Sequence, residues 1–219
     1  MKFYAHTVEG KPEEKWHTLA DHLKGTAELA ASFTDNKIYS EIFKMAGYLH
    51  DLGKYQPAFQ KYLRDGGRRG SVIHASWGAG YASILKNHEI SFVIDGHHKG
   101  LPDRSDWKND INPYIKGVVT GFDETVKELK KETGFDEYSL EAGISGVSDV
   151  YERELFTRYM FSSLTDADWL DTEKKCNPEL SEKRKYLLLD YDVLITRLES
   201  VIITKPKEGE LNSLRNKVR

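Results

Sequence analysis

The residues of this chain best suited to chemistry are histidines that stand beside other potential metal ligands. His50-Asp51 ends an apolar run in GYLHDLGK, and His97-His98 ends another in VIDGHHKG. Neutral imidazole and carboxylate groups suit a divalent transition metal, and one carboxylate can bridge two ions. Each pair alone also fits a polar helix end or an exposed turn. A carboxylate at the negative end of a helix dipole, however, is disfavoured unless a cation compensates it.

Three further residues have the same ligand chemistry. His22 lies one residue from an apolar stripe, where a buried core histidine is the usual explanation, and His74 follows a glycine-rich loop. Asp168 lies on the apolar face of FSSLTDADWLD, where an unpaired carboxylate is costly. The complete set of candidate metal ligands is His22, His50, Asp51, His74, His97, His98 and Asp168. These nitrogen and oxygen ligands, without a thiolate, predict one or two divalent ions among Mn, Fe, Co, Ni and Zn.

The elements that must position these residues are helices. Apolar residues recur at i, i+4, i+8 and i+11 in HTLADHLKGTAELAASF, and they line one face of IYSEIFKMAGYLHD, where Gly53 is expected to stop the helix. Further helices are predicted at about 76–87, 90–97, 112–132, 149–175 and 182–203. Strand alternation is hard to find. The predicted fold is therefore all-α, a single helical domain with a metal site between helices.

Composition describes a globular protein without a membrane segment. Of the 219 residues, 39% are hydrophobic and 31% are charged, and no apolar run approaches the length of a bilayer span. The single cysteine, Cys176, cannot form an intramolecular disulfide, which predicts a reducing, cytoplasmic location. One domain is predicted over residues 1–204. Residues 205–219 contain too few apolar side chains to pack alone and are predicted to be a linker.

The motifs and their order resemble those of the HD phosphohydrolase superfamily. They are similar in particular to the HD nuclease domain of the helicase–nuclease of type I CRISPR interference systems. The resemblance covers about residues 3–175 and is carried by YAHT, HDLGKYQPAFQKYL, ASWGAGYA, GHHKGLP and SSLTDADWLDTE. It implies a metal-dependent endonuclease that acts on single-stranded DNA in antiviral defence. Its partners would be a helicase domain, in cis or in trans, and an RNA-guided CRISPR surveillance complex, so residues 205–219 would lead toward the helicase.

The resemblance also implies roles for individual residues. The first metal would be held by His22, His50, Asp51 and Asp168, and the second by Asp51, His74, His97 and His98, with Asp51 bridging. Asp51 and Lys54 would be the catalytic residues, with Lys54 against the scissile phosphate. Ile73 and Ala75 replace the aspartate and serine that often flank the third histidine of the family, so His74 lacks a hydrogen-bond partner there.

Two assignments rest on weaker patterns. Asp166 and Asp171 compete with Asp168 for the last ligand position, and Asp171 is expected to stand behind the metal ligands. Three arginines near His74 are candidate contacts of the DNA backbone, on the basis of their charge and sequence position. They are Arg64, Arg68 and Arg69.

Two other functions stay open at the level of sequence. One is an HD phosphohydrolase that acts on small nucleotides, and the other is a catalytically silent HD-fold binding module. The histidines beyond a minimal H…HD…D set argue against a mononuclear phosphohydrolase. The complete ligand set and Lys54 argue against a silent module.

Overall fold

The computed structural model describes residues 2–68, 70–136, 149–184, 190–206 and 208–217. Two compact units are present, Met1–Glu182 and Lys183–Arg219. The strands of the first unit are β1 (Tyr4–His6) and β2 (His17–Thr18), and its helices are α1 (Leu19–Ser32), α2 (Lys37–Leu49), α3 (Pro57–Asp65), α4 (Ala75–Ile84), α5 (His88–Gly96), α6 (Arg104–Ile115), α7 (Phe122–Thr133) and α8 (Val150–Cys176). A short helix, α9 (Pro178–Lys183), ends at the boundary, and the second unit contains α10 (Tyr191–Ile203) and α11 (Glu210–Lys217). Glu13–Lys15 and Leu52–Tyr55 form 3₁₀ turns.

The core of the first unit is built around α1, which packs against α2 and α8. Leu19 and Leu23 of α1 are fully buried, as the apolar stripe predicts, and meet Phe43 of α2 and Leu164 of α8 in the same hydrophobic cluster. Each such side chain contributes about 1.5–3 kcal/mol by leaving water. Helix α1 begins at a Thr18 cap whose hydroxyl accepts the backbone N–H of Asp21. Because this face of the helix is buried, the polar side chain of His22 also lies inside the protein.

The prediction of an all-α fold is confirmed, with a minor addition. Strands β1 and β2 form a two-stranded antiparallel sheet in which His6 pairs with His17. Such short strands leave no detectable alternation in the sequence. Among the described residues, no helix has the length and hydropathy required to cross a membrane.

Three predicted features of the helices are wrong. The helix expected at 112–132 is divided, because α6 ends at Ile115 and two glycines with a left-handed backbone, Gly117 (φ 66°) and Gly121 (φ 79°), precede α7. In the range 182–203, α10 begins only at Tyr191 after an extended Asp190 cap, and residues 185–189 lie outside the described residues. Gly53 is expected to stop the helix, but α2 has already ended at Leu49 and the φ of Gly53 is not positive. A Cβ at Gly53 would overlap the backbone of His74, so this glycine instead lets the turn after α2 approach α4 closely.

The two compact units do not coincide with the predicted domains, whose bounds at 1–204 and 205–219 stay a prediction. The predicted domain extends to residue 204, whereas the compact unit ends at Glu182. Helix α10 belongs to the second unit and has no buried residue, although it is rich in valine, leucine and isoleucine. That residues 205–219 lead toward a helicase domain stays a prediction.

Candidate metal centre

A first ligand group lies where α1, α2 and α8 meet. The Nε2 atom of His22 is 3.3 Å from Asp51 Oδ2, 3.3 Å from Asp168 Oδ1 and 3.3 Å from His50 Nε2. His50 Nε2 is in turn 3.3 Å from Asp51 Oδ2 and 3.8 Å from Asp168 Oδ1. Four ligand atoms from three separate segments of the chain therefore lie close together. They are the four residues that the resemblance assigns to the first metal.

A second ligand group uses the other oxygen of Asp51. Asp51 Oδ1 is 3.4 Å from His74 Nε2 and 3.8 Å from His97 Nε2. His74 Nε2 is also 2.9 Å from His98 Nε2. Ligand atoms of these four residues all lie within 4.8 Å of one another. Because each Asp51 oxygen faces a different group, its carboxylate has the arrangement of a bridging ligand.

Helix ends explain how two adjacent residues reach one site. His50 follows α2 directly and its Nδ1–H donates to the Gly47 carbonyl at 2.7 Å, while Asp51 has left the helical conformation. His97 repeats this at the end of α5, donating from Nδ1 to the Ile94 carbonyl at 2.6 Å. Carbonyl groups at a helix C-terminus lack intrahelical partners and attract N–H donors. The bond leaves the Nε2 lone pair of each histidine free to bind a metal.

The ambiguity among the aspartates of α8 is removed by their positions. Asp166 is exposed, Asp168 faces the first ligand group, and Asp171 Oδ2 accepts a 2.7 Å hydrogen bond from His22 Nδ1. Asp171 thus stands behind His22, as expected, and orients it through the nitrogen that faces away from the site. A Cβ at Gly25 would collide with Asp171 Oδ1, so a glycine on α1 makes room for this contact.

The spacing of the ligand atoms fits a divalent ion. Atoms bound 2.0–2.2 Å from a tetrahedral metal ion lie about 3.3–3.6 Å apart, close to the separations in the first group. Asp51 Oδ1 and His97 Nε2 are buried without a hydrogen-bond partner among the described residues. Buried polar atoms without partners are costly, and coordination of a cation would satisfy both. The described His/Asp cluster can therefore hold divalent metal, and its residues do not specify which one.

The first ligand group has the electrostatics of a cation site. Burial alone would lower the pKa of His22 and His50. Hydrogen bonds to Asp168, Asp171 and Asp51 instead raise the pKa of His22 to about 10, and the charge of Asp51 with hydrogen bonds to Asp168 and Asp51 raises that of His50 to about 9. Burial also opposes ionisation of Asp51, but Lys54 and His50 hold its pKa well below the usual range. The carboxylates are thus ionised and favour positive charge between them.

The imidazoles of the second group behave in the opposite way. Burial lowers the pKa of His74 to about 4, despite the opposing charge of Asp51. Partial burial of its ring and the neighbouring His97 lower the pKa of His98 to about 3, although the residue as a whole is exposed. Both are neutral at pH 7 and have the protonation state that a metal ligand needs. His74 Nδ1 forms a long hydrogen bond of 3.4 Å with the Val72 carbonyl, and the partner that Ile73 and Ala75 would replace stays a prediction.

Lys54 lies against the metal ligands rather than in solvent. Its side chain is 4% exposed, and Nζ is 2.7 Å from Asp51 Oδ2 and 3.3 Å from the Ala5 carbonyl. It also lines the cavity beside the second ligand group. An ammonium held there would complement a phosphate oxygen, but contact with a scissile phosphate stays a prediction.

Two histidines near the centre, His6 and His17, are not among the candidate ligands predicted from the sequence. His6 of β1 joins His22, Asp51 and Asp168 in a set of potential ligands, and its Nε2 is 3.2 Å from Thr172 Oγ1. His17 of β2 is buried, 3.5 Å from Asp171 Oδ2. Their strands are too short to predict, so the available signal was only that each histidine lies next to an aromatic residue or threonine in YAHT and WHT.

The three arginines proposed for DNA binding have different surroundings. Arg64 pairs with Glu13 at 2.9 Å and donates to the Gln60 and Lys2 carbonyls, which gives it a structural role here. Arg68 is exposed in the glycine-rich loop, whereas Arg69 lies outside the described residues. Contact between these residues and DNA stays a prediction.

Comparison with known families gives one result that bears on this centre. The family model for the HD domain matches residues 19–154, well over half of the chain. The match includes six of the seven proposed ligands and ends before Asp168. No match was found among curated proteins.

Proposed function

Because the chain belongs to the HD domain family of metal-dependent phosphohydrolases, we propose that it is a nuclease that cleaves the phosphodiester bonds of single-stranded DNA. The observation that carries this proposal is the position of Asp51, which offers one oxygen to each of two ligand groups. Pairs of ions about 3.5–4 Å apart are a recurring device for in-line displacement at phosphorus in nucleases and phosphatases.

The side chains of the centre have complementary tasks in this reaction. When bound, divalent ions supply an activated water nucleophile and a Lewis acid for the phosphoryl oxygens. His50 and His97 are held by carbonyl groups so that Nε2 faces the site, and Asp171 does the same for His22. The Lys54 ammonium, fixed by Asp51 and the Ala5 carbonyl, is ready to neutralise charge that develops on the phosphate.

The proposed biological setting is type I CRISPR interference. It is supported by the order of YAHT, HDLGKYQPAFQ, GHHKGLP and DADWLDTE along the chain, which goes beyond the minimal motif of the family. In this setting the nuclease acts in the cytoplasm with a helicase domain, in cis or in trans, and with an RNA-guided surveillance complex.

The test is a cleavage assay with circular single-stranded DNA and with a panel of nucleotides, in the presence of Mn, Co, Ni, Fe, Zn or Mg. Loss of the circles indicates an endonuclease, since a circle has no end from which to degrade. Asp51→Ala should be inactive. Asp166→Ala removes an exposed carboxylate two residues from Asp168 and is the matched control that should stay active.

Each outcome separates the proposal from its alternatives. Phosphate release from nucleotides with no cleavage of the circles would replace the nuclease by a small-nucleotide phosphohydrolase. Absence of turnover on every substrate and metal would favour a binding module. A helicase that stimulates cleavage when added in trans would support the partner assignment.

A further inference from the structure

A cavity of about 430 Å³ opens beside the second ligand group. Its lining includes Lys54, His74 and His98 of the metal centre, together with Phe59, Tyr62, Leu63 and Val72. Its volume falls within the roughly 300–1,000 Å³ of small-molecule sites. It is therefore large enough for one nucleotide unit and too small for a base pair with both of its backbones.

The charge of the lining selects the kind of ligand. Among the described residues that line the cavity, none carries a carboxylate, although acidic residues outnumber basic ones in the whole chain (35 against 32). The Lys54 ammonium and the imidazoles of His74 and His98 provide N–H donors or metal-binding nitrogens. Such a lining attracts an anionic group of a ligand to the side of the metal ligands. No carboxylate of the described lining competes with that group for a metal ion.

The aromatic residues of the lining continue away from the metal ligands. The ring of Phe59 lies 5.2 Å from the ring of His74 and 5.8 Å from that of Tyr62, so Tyr62 is one ring further from the ligand group. Tyr62 is half-buried, and a Cβ at Gly67 would lie 3.1 Å from its ring, so the glycine-rich loop passes close to it. A cavity with a cationic end followed by flat apolar surface suits a ligand in which a phosphate is followed by a nucleobase.

We propose that this base cavity, whose lining combines Phe59, Tyr62, Leu63 and Val72 with Lys54, His74 and His98, binds the sugar and base of one unpaired nucleotide beside the reacting phosphate. Tyr62 is the residue on which the base stacks. The assignment of that nucleotide to a DNA strand rests on the proposed function, whereas recognition of a nucleotide does not. Stacking is tolerant of sequence because every base has a π-face, so cleavage would show little base preference.

Equilibrium binding tests the base cavity without measuring activity. The probes are thymidine 5′-monophosphate and 2-deoxyribose 5-phosphate, which share the sugar phosphate and differ in the base, titrated calorimetrically into the Mn-loaded protein. Base stacking on an aromatic side chain should tighten Kd for the nucleotide by about 5- to 150-fold. Tyr62→Ala should reduce this ratio to near one, whereas Tyr62→Phe should preserve it.

Controls separate stacking from damage to the centre. Metal content and thermal unfolding are measured for every variant, and Tyr151→Ala removes a tyrosine that is exposed and does not line the cavity. Tyr151→Ala should keep the wild-type ratio. If Tyr62→Ala does not fold, Tyr62→Leu keeps apolar volume without a π-face and should also lose the ratio.

The outcomes distinguish failure of this inference from failure of the proposed function. Equal Kd values for the two probes, or an unchanged ratio in folded Tyr62→Ala or Tyr62→Leu, would overturn the base cavity even if DNA is cleaved. A base-dependent Kd that is lost with Tyr62, in a protein that cleaves no DNA, would support the cavity and overturn the nuclease.

Discussion

The first ligand group is carried by α1, α2 and α8 and contains two carboxylates, whereas the second relies on imidazoles and shares Asp51 as its only carboxylate. The first is also closed, since His22 and His50 are 0% exposed, while the side chain of His74 is 16% exposed and His98 is exposed. More carboxylate charge and less water strengthen attraction for a cation. The comparison therefore indicates a tightly held ion in the first group and a weaker one, open to substrate, in the second.

The largest expected effect comes from the residue that joins the two groups. Asp51→Asn preserves shape but removes the shared charge, so we expect both ions to be lost and cleavage to fall on the order of 10³-fold or more. Metal per protein is measured by mass spectrometry of the dialysed variant. Two retained ions would show that Asp51 does not bridge. The asparagine is preferable to alanine because Lys54, 3% exposed, keeps a polar neighbour.

A substitution of Lys54 distinguishes a role in metal binding from a role in stabilising charge during the reaction. Lys54→Ala removes the ammonium that lies 2.7 Å from Asp51 Oδ2, so the ligands lose a competing cation and the ions should be retained. The cleavage rate should fall about 10²- to 10³-fold, as for loss of one preorganised donor. Metal content and single-turnover rates are measured together, and loss of metal would give Lys54 a structural role.

Substitutions of Asp168 and His98 test the two ligand groups one at a time. Asp168→Ala should weaken the tighter site by at least about 100-fold, more than the 10- to 100-fold typical of residues behind the ligands. His98→Ala should weaken only the second site. Competition with a chromophoric chelator measures both affinities, and equal effects of the two variants on the tighter site would contradict the comparison. Asp166→Ala is the control for substitution on α8.

The contact of Asp171 with His22 can be disturbed without substituting any of the proposed metal ligands. Gly25→Ala introduces a Cβ where Asp171 Oδ1 lies, so the carboxylate must leave His22 Nδ1 and the affinity of the first site should fall about 10- to 100-fold. Asp171→Asn should act similarly. Glu28→Ala, at an exposed position of the same helix, should bind metal as the wild type does. An unchanged affinity in Gly25→Ala would remove the positioning role.

The smallest effect is a difference in proton release. Before metal binds, a pKa of about 10 for His22 and about 9 for His50 keeps both protonated at pH 7, so an ion entering the first group must displace their protons. His74 and His98, with pKa values of about 4 and 3, have none to release at pH 7. We therefore expect more protons to be released with the first ion than with the second.

Calorimetry in buffers of different ionisation enthalpy measures these protons. The same shifts also act on the stability of the metal-free protein. Because the pKa values of His22 and His50 are raised, their contribution to stability is complete below pH 6.5 and is lost as pH rises through 9 to 10. Equal proton release by both ions would contradict the contrast between the groups.

Much of the fold was predictable because helix periodicity is a local property. The stripe through Leu19, Leu23, Ala27 and Ala30 is buried as predicted. The helix expected at 112–132 was wrong because the left-handed backbones of Gly117 and Gly121 outweighed a favourable residue pattern. The strands were not predicted because a segment of two or three residues is too short to show the alternation of a strand. Each is stabilised by pairing with the other strand.

The candidate ligands were predictable for a different reason. A histidine next to a second potential metal ligand at the end of an apolar run is unusual for a packing residue. His50-Asp51 and His97-His98 can therefore be identified as candidate ligands from the sequence. His6 cannot, since its position depends on a short strand. Asp171 is expected behind the ligands, but the sequence does not show that the ligand it supports is His22, which lies 149 positions away.

The sequence by itself determined the helical architecture and the stock of imidazole and carboxylate ligands, because periodicity and residue type are written along the chain. Only the tertiary structure decided that each oxygen of Asp51 faces a different ligand group, that Asp171 supports His22 through Nδ1, and that Gly25 makes room for this contact. These contacts depend on how closely helices from distant parts of the chain approach one another, which no local pattern of the sequence records.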